Sequence, residues 1–204
     1  MAPMSTFDER AAEWDTPARR QRAQAVARAI RVSGVLVPTD RAIDLGAGTG
    51  LLGIELASAV LEVVLADPSD GMLEIARQKV AALALSNVRP IRFDLLADPP
   101  PDEPLDIAVS LLMLHHLPDT GAALGAIYRL LVPGGRLALA DLDTEDGSFH
   151  DPDAEGIYHH GFERTALADL ARRAGFSDVT VGTATEIEEE GRRYPVFLLR
   201  ARRA

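Results

Sequence analysis

Three aspartates and one glycine-rich turn carry the sharpest chemistry in this chain. Asp44 sits in an apolar run that breaks into Gly46-Ala47-Gly48-Thr49-Gly50, with glycine at alternate positions. Asp67 closes the next apolar run, and Asp94 closes the one after it. Glycine permits positive φ and lets a ligand approach bare backbone, while a helix starting at Leu51 would turn its anion-favouring N-terminus to the same place. An acid ending a buried strand needs a partner. The spacing departs from the general dinucleotide fingerprint Gly-x-Gly-x-x-Gly, because the third glycine comes one residue early. The remaining candidates are His115-His116 after a fourth apolar run, and His150, His159 and His160 in an acidic stretch. A neutral imidazole can take a proton from a hydroxyl or an activated carbon near neutral pH.

Such residues converge only if strands and helices alternate around them. The pattern predicts a first helix over 17–32, with Pro38 punctuating its exit, and a strand over 41–45. After the glycine loop come a helix over 51–59, a strand over 62–66 and a helix over 71–85 capped by Ser69 or Asp70. Strand three is expected over 88–93, a proline-rich loop over 97–104, and strand four over 105–111, apolar throughout as a doubly buried strand should be. A helix over 120–131 ends at Pro133-Gly134-Gly135, which turns into strand five at 136–140. An acidic, histidine-containing connection over 141–161 leads to a helix over 165–174, stopped by Gly175. Two last strands, 179–185 and 194–201, are joined by the charged stretch 186–193, read as a solvent-facing hairpin. This alternation implies an α/β three-layer sandwich on a mainly parallel sheet.

Composition narrows the class. The 204 residues suffice for one domain with its own core. Mean hydropathy of +0.03 suits a water-facing globule, and no apolar run approaches the ~20 residues of a spanning helix. The first ten residues lack an apolar secretion-type segment, and cysteine is absent, which excludes disulfides and thiolate chemistry. A cytoplasmic location is the expectation. The net charge of −10 repels phosphate backbones, so nucleic acid is a poor substrate. Arg19, Arg20, Arg22, Arg28 and Arg31 are read as the solvated face of the first helix.

The order of these motifs resembles the class I S-adenosylmethionine-dependent methyltransferases, in the small-molecule branch similar to ubiquinone/menaquinone methyltransferases. The resemblance rests on Asp44-Leu45-Gly46-Ala47-Gly48-Thr49-Gly50, Asp67-Pro68-Ser69-Asp70-Gly71-Met72-Leu73 and Phe93-Asp94-Leu95. It extends to Ser110 through Leu117, to Leu131-Val132-Pro133-Gly134-Gly135-Arg136-Leu137, and to Phe7 through Asp15. It implies a Rossmann-like seven-stranded sheet of order 3-2-1-4-5-7-6, strand seven antiparallel, helices on both faces. It further implies that S-adenosylmethionine binds across the carboxyl ends of the strands and leaves as S-adenosylhomocysteine.

On that resemblance the donor meets Asp44, Gly46, Ala47, Gly48, Gly50, Asp67, Pro68, Met72, Asp94, Leu95 and Leu111. Asp67 would accept both ribose hydroxyls, Asp94 the adenine amino group, and Met72 would pack on the adenine. Asp44 would also brace the glycine loop by accepting its backbone N–H groups. The expected acceptor is a small molecule methylated at oxygen or carbon, since the Asn/Asp-Pro-Pro-Tyr run of exocyclic-amine enzymes is missing after strand four. His115 or His116 is the candidate base or pocket residue, while Trp14, Tyr158, His159 and His160 are candidate acceptor-pocket residues. No metal is expected, although Asp141, Asp143, Glu145, Asp146, Asp151 and Asp153 surround the histidines. Residues 1–33 are read as a helical lid and cap, and 41–204 as the binding core, in a monomer or homodimer. Two other classes stay open: a non-catalytic S-adenosylmethionine-binding regulator, and an NAD(P)-dependent oxidoreductase, for which the glycine spacing is wrong.

Overall fold

The computed structural model describes residues 4–151, 154–189 and 191–204, with side chains from residue 7 onward. Seven strands form one sheet: β1 (Arg41–Leu45), β2 (Glu62–Asp67), β3 (Val88–Arg92), β4 (Leu105–Leu111), β5 (Leu131–Leu142), β6 (Phe176–Glu189) and β7 (Arg192–Arg203). Their order is β3-β2-β1-β4-β5-β7-β6, and β7 runs antiparallel to both of its neighbours. The helices are α1 (Met4–Arg10), α2 (Pro17–Val32), α3 (Leu51–Leu56), α4 (Asp70–Ala82), α5 (Thr120–Leu130) and α6 (Arg164–Arg173). Val26 and Ile30 of α2 with Leu52 and Leu56 of α3 cover one face of the sheet. Leu124 and Ile127 of α5 with Leu167 and Ala171 of α6 cover the other. Ile107, Ala108 and Val109 of β4 are buried between the two layers, as their unbroken apolar run predicts.

The parallel part matches expectation almost residue for residue, and four local departures have physical causes. A helical turn, α1, and a 3-10 turn at Ala11–Glu13 precede the expected first helix. The helix after the glycine loop is α-helical only to Leu56 and then tightens to 3-10 over Ala57–Ala59. Strand five starts at Leu131 rather than 136, because Pro133-Gly134-Gly135 forms an irregularity inside it, between the pairs Leu105–Leu131 and Ile107–Arg136. The charged stretch is a hairpin as expected, but its strands are longer: Glu186–Glu189 and Arg192–Arg193 are themselves paired. Ile187 and Tyr194 face one another across the hairpin and are both buried, while Glu188 pairs with Arg193 on the wet side. Edge strands carry such charge readily, since one face is solvated.

Candidate active site

A cleft opens at the carboxyl ends of β1, β2 and β4, floored by the glycine loop. Gly46 (φ +64°) and Gly48 (φ +54°) adopt conformations that side chains resist. A Cβ on Gly46 would collide with the Met113 side chain, and one on Gly48 would enter the cleft 3.8 Å from both Met72 Sδ and Trp14 Nε1. Ala47 lies in the same wall. Gly50 does not line the cleft; at φ +82° it makes the turn into α3, against Leu65.

Asp67 faces the cleft with both oxygens engaged: Oδ2 accepts from Gly48 N–H at 2.7 Å and Oδ1 from Ser69 N–H at 2.9 Å. Burial pushes its carboxyl above the ordinary range, and the two backbone N–H groups hold it back. Asp44 is 1% exposed and also reaches the cleft wall. Burial pushes it up to about 8, countered by the Gly53 N–H that Oδ2 accepts at 2.8 Å. It therefore braces α3 rather than the glycine loop itself, which corrects the sequence expectation. Beside Asp67, Ser69 Oγ accepts from Met72 N–H at 3.1 Å and seats Met72 in the wall. Pro68, Asp94, Leu95 and Leu111 complete that side. Asp94 Oδ1 accepts from Leu96 N–H at 3.0 Å, which holds its loop.

The two adjacent histidines part company. They lie on a 3-10 turn, Leu114–His116, that follows Leu112, a non-glycine residue at φ +55°. Backbone strain of that kind collects at sites whose geometry is imposed by their surroundings. His115 is buried, its Nδ1 2.7 Å from Asp141 Oδ1, and it does not line the cleft. Asp141 also accepts from the Leu114 and Leu142 N–H groups, both at 2.8 Å. Burial works to raise its carboxyl, yet the charge and hydrogen bond of His115 prevail, so it lies below the ordinary range.

His116 does line the cleft. Its Nδ1 lies 3.0 Å from Gly156 O, and a carbonyl only accepts, so Nδ1 carries the proton and Nε2 is the basic nitrogen. Burial, with His115 next, pushes His116 down to about 4.

Tyr158, His159 and His160 are not part of the wall, contrary to expectation. Tyr158 is 46% exposed, His160 faces Glu145 at 3.3 Å, and His159 Nε2 is 3.0 Å from Leu117 O. Their contribution is through the backbone: the Tyr158 and His159 N–H groups donate to His115 O at 3.0 and 3.3 Å and pin the 3-10 turn. Asp153 lies outside the described residues. Among the described residues no three histidines or acids converge as metal ligands.

The N-terminal segment closes the remaining side. Phe7 and Trp14 line the cleft, with Phe7 edge-on to His116 at 5.4 Å and to Trp14 at 5.8 Å. Asp8 Oδ1 accepts from Ser69 Oγ at 2.5 Å and Gly71 N–H at 2.8 Å, and these bonds hold its carboxyl below the usual range. Asp15 accepts from Thr49 Oγ1 at 2.5 Å and pairs with Lys79 at 2.8 Å. Two large apolar residues in an otherwise polar opening stretch are the sequence signal for this docking.

A protein-family profile described as a methyltransferase domain matches residues 42–135, the segment from β1 to the start of β5 that holds this cleft. That segment is similar to a methyltransferase domain. The ubiquinone/menaquinone biosynthesis C-methyltransferase of Teredinibacter turnerae is 37% identical over 123 residues, 58% of this chain and 49% of that protein. An O-methyltransferase of Pyrenophora dematioidea is 32% identical over 132 residues, 64% of this chain and 49% of its own length. The chain thus spans about half the length of these curated relatives. A S-adenosylmethionine-dependent methyltransferase from Aquifex aeolicus shares the fold, with TM-score 0.72 at 20% identity over 97% of this chain and 98% of that one.

S-adenosylmethionine, the cofactor of such methyltransferases, fits the groups in the wall. The open side of Gly48, between Met72 and Trp14, leaves room that any Cβ would take. Asp67, anchored by two amides, presents a fixed acceptor to ribose hydroxyls, with Met72, Asp94 and Leu95 beside it for a flat base.

Proposed function

We propose that this chain transfers a methyl group from S-adenosylmethionine to oxygen or carbon of a small-molecule acceptor. One observation carries the reading: a single cleft is walled by the anchored Asp67 at one end and by His116, with a defined basic Nε2, at another. The relatives' names support carbon or oxygen as the acceptor atom. When bound, the donor supplies a methyl carbon already activated on a sulfonium. The protein's task is then alignment and exclusion of water. Phe7, Met113 and Leu117 form an apolar surround for the nucleophile. His116 receives the acceptor's proton at Nε2 while Gly156 O holds Nδ1–H and so fixes the ring.

His115, paired with Asp141, positions the turn. The wall residues between Asp44 and Leu111 form the donor site, with Gly50 acting through the turn. Residues 1–33 act as lid and cap on the core at 41–204. A net charge of −10 supports a small molecule rather than nucleic acid as acceptor. Among the described residues no helix is long and apolar enough to cross a membrane, and a cytoplasmic monomer or homodimer is proposed.

Calorimetry tests the donor: S-adenosylhomocysteine should bind and NAD should give no heat. NAD binding without any response to S-adenosylhomocysteine would overturn the reading. The base role has a pH signature. A group held near 4 is neutral, hence able to accept a proton, at all pH values well above 4. For an acceptor that must lose a proton, kcat/KM should stay level from pH 8 to 6 and decline only below about 5. His116→Ala should lower it by about 100-fold and abolish that limb. An acid limb near pH 6.5, unmoved in His116→Ala, would assign the base elsewhere.

A further inference from the structure

Two imidazole nitrogens among the described residues are buried and make no hydrogen bond: Nε2 of His115 and Nε2 of His150. The rings that carry them are neighbours, 5.0 Å between centres and tilted by 42°. His116 lies against both, 4.2 Å from His115 and 5.9 Å from His150. His150 takes no part in the proposed transfer and does not line the cleft. It sits in the connection between β5 and α6, braced edge-on by Phe149 at 4.8 Å. A buried nitrogen without a partner forfeits the hydration it gave up, so native structures rarely leave two side by side.

Protonation decides what each nitrogen can do. His115 Nδ1 lies 2.7 Å from Asp141 Oδ1, and Asp141, held below the ordinary carboxyl range, is ionised and only accepts. The hydrogen of a neutral His115 is therefore on Nδ1, and its Nε2 is a bare acceptor. Burial, then the neighbouring His115 and His116, push His150 down to about 4, against the attraction of Glu145 and Asp141. His150 is thus neutral at pH 7 and has one N–H to place. On Nδ1 that hydrogen would leave two lone pairs facing unsatisfied; on Nε2 it supplies the donor that His115 lacks. Imidazole nitrogens at hydrogen-bond distance hold their ring centres about 5 Å apart, the spacing these two rings have. We infer that His150 is a positioning residue for the base: its Nε2–H bonds to His115 Nε2 and completes a chain Asp141–His115–His150 behind His116. The His116 ring rests on that chain, while Gly156 O holds its Nδ1–H, so Nε2 stays turned to the cleft. His150, Gly156 and the Tyr158 and His159 amides on His115 O all come from one connection, which thus fastens the whole turn. The name base rests on the methyl-transfer reading; the bond itself does not.

The full chain, labelled with nitrogen-15 at histidine, is read at pH 7 by long-range proton–nitrogen spectra, which show which ring nitrogen carries the hydrogen. The expected pattern is Nδ1–H for His115 and His116, Nε2–H for His150, and a coupling between the two Nε2 nuclei across the bond. Nδ1–H on His150, or Nε2–H on His115, would overturn the bond without any variant. Three variants then test the positioning. His150→Leu removes the donor, His150→Asn places an amide short of Nε2, and His150→Gln returns an N–H near the Nε2 position. In the first two, His116 should lose its single tautomer, and the Tyr158 and His159 amides should exchange with water about 10-fold faster. His150→Gln should restore both readings. A His116 that keeps one tautomer in folded His150→Leu or His150→Asn, or that loses it in His150→Gln, would overturn the positioning role. S-adenosylhomocysteine is titrated in parallel: failure of wild type to bind it would sink the transfer reading and leave the tautomers to decide the bond.

Discussion

Asp67→Ala should weaken S-adenosylhomocysteine by about 2 to 3 kcal/mol, roughly 30- to 150-fold, while the protein still folds. The size follows from what the carboxylate holds. Its oxygens take the Gly48 and Ser69 N–H groups, so truncation strips the ribose acceptor and also leaves two amides of the donor site unpaired. Asp67→Asn retains one carbonyl oxygen and should fall between wild type and alanine. Folding survives because Asp67 ends β2 at the cleft mouth instead of in the layered core. The pH dependence has a definite sign. Burial raises the Asp67 pKa, so its proton returns earlier on acidification than an exposed aspartate's would, and affinity should drop as pH falls through that raised value. The dissociation constant by calorimetry, across variants and pH, checks all of this. An unchanged constant in Asp67→Ala would leave Asp67 a structural acid only.

The second large effect belongs to the N-terminal segment. Deleting residues 1–15 should cut turnover by about 100-fold, far more than it affects melting, because the segment supplies Phe7 and Trp14 to the wall of the reacting space. Two polar latches anchor it. Asp8 caps the start of α4 through Ser69 and Gly71, and Asp15 ties Thr49 of the glycine loop to Lys79. Ser69 joins both halves, since its N–H goes to Asp67 and its Oγ to Asp8, so the proposed ribose acid and the first latch share one residue. In the full chain, S-adenosylhomocysteine should change Trp14 emission and protect the segment from proteolysis. Emission that stays constant at saturation, with a deletion variant that melts early yet turns over when folded, would make the segment scaffold.

Much of the molecule could be read without its structure, and the reason is that those signals are local. Alternate glycines, Ser69 ahead of a helical pattern, and the unbroken apolar run of β4 each specify backbone geometry through their immediate neighbours. Cleft residues between Asp44 and Leu111 follow, because strand ends and the loops after them must share one edge of a parallel sheet. What the sequence alone left open depends on packing between distant segments. His115 and His116 are neighbours of the same type, yet a 3-10 turn sends one to Asp141 and the other to the cleft. Tyr158, His159 and His160 look like pocket residues in a string of letters, but their amides, not their side chains, do the positioning. The charge of stretch 186–193 suggested a wholly solvent-facing hairpin because edge-strand burial of Ile187 against Tyr194 cannot be seen before the hairpin is paired. Arg19 and Arg22 have the composition of a solvated helix face. Only the closing of Trp14 and Phe149 over α2 makes them part of the cleft wall.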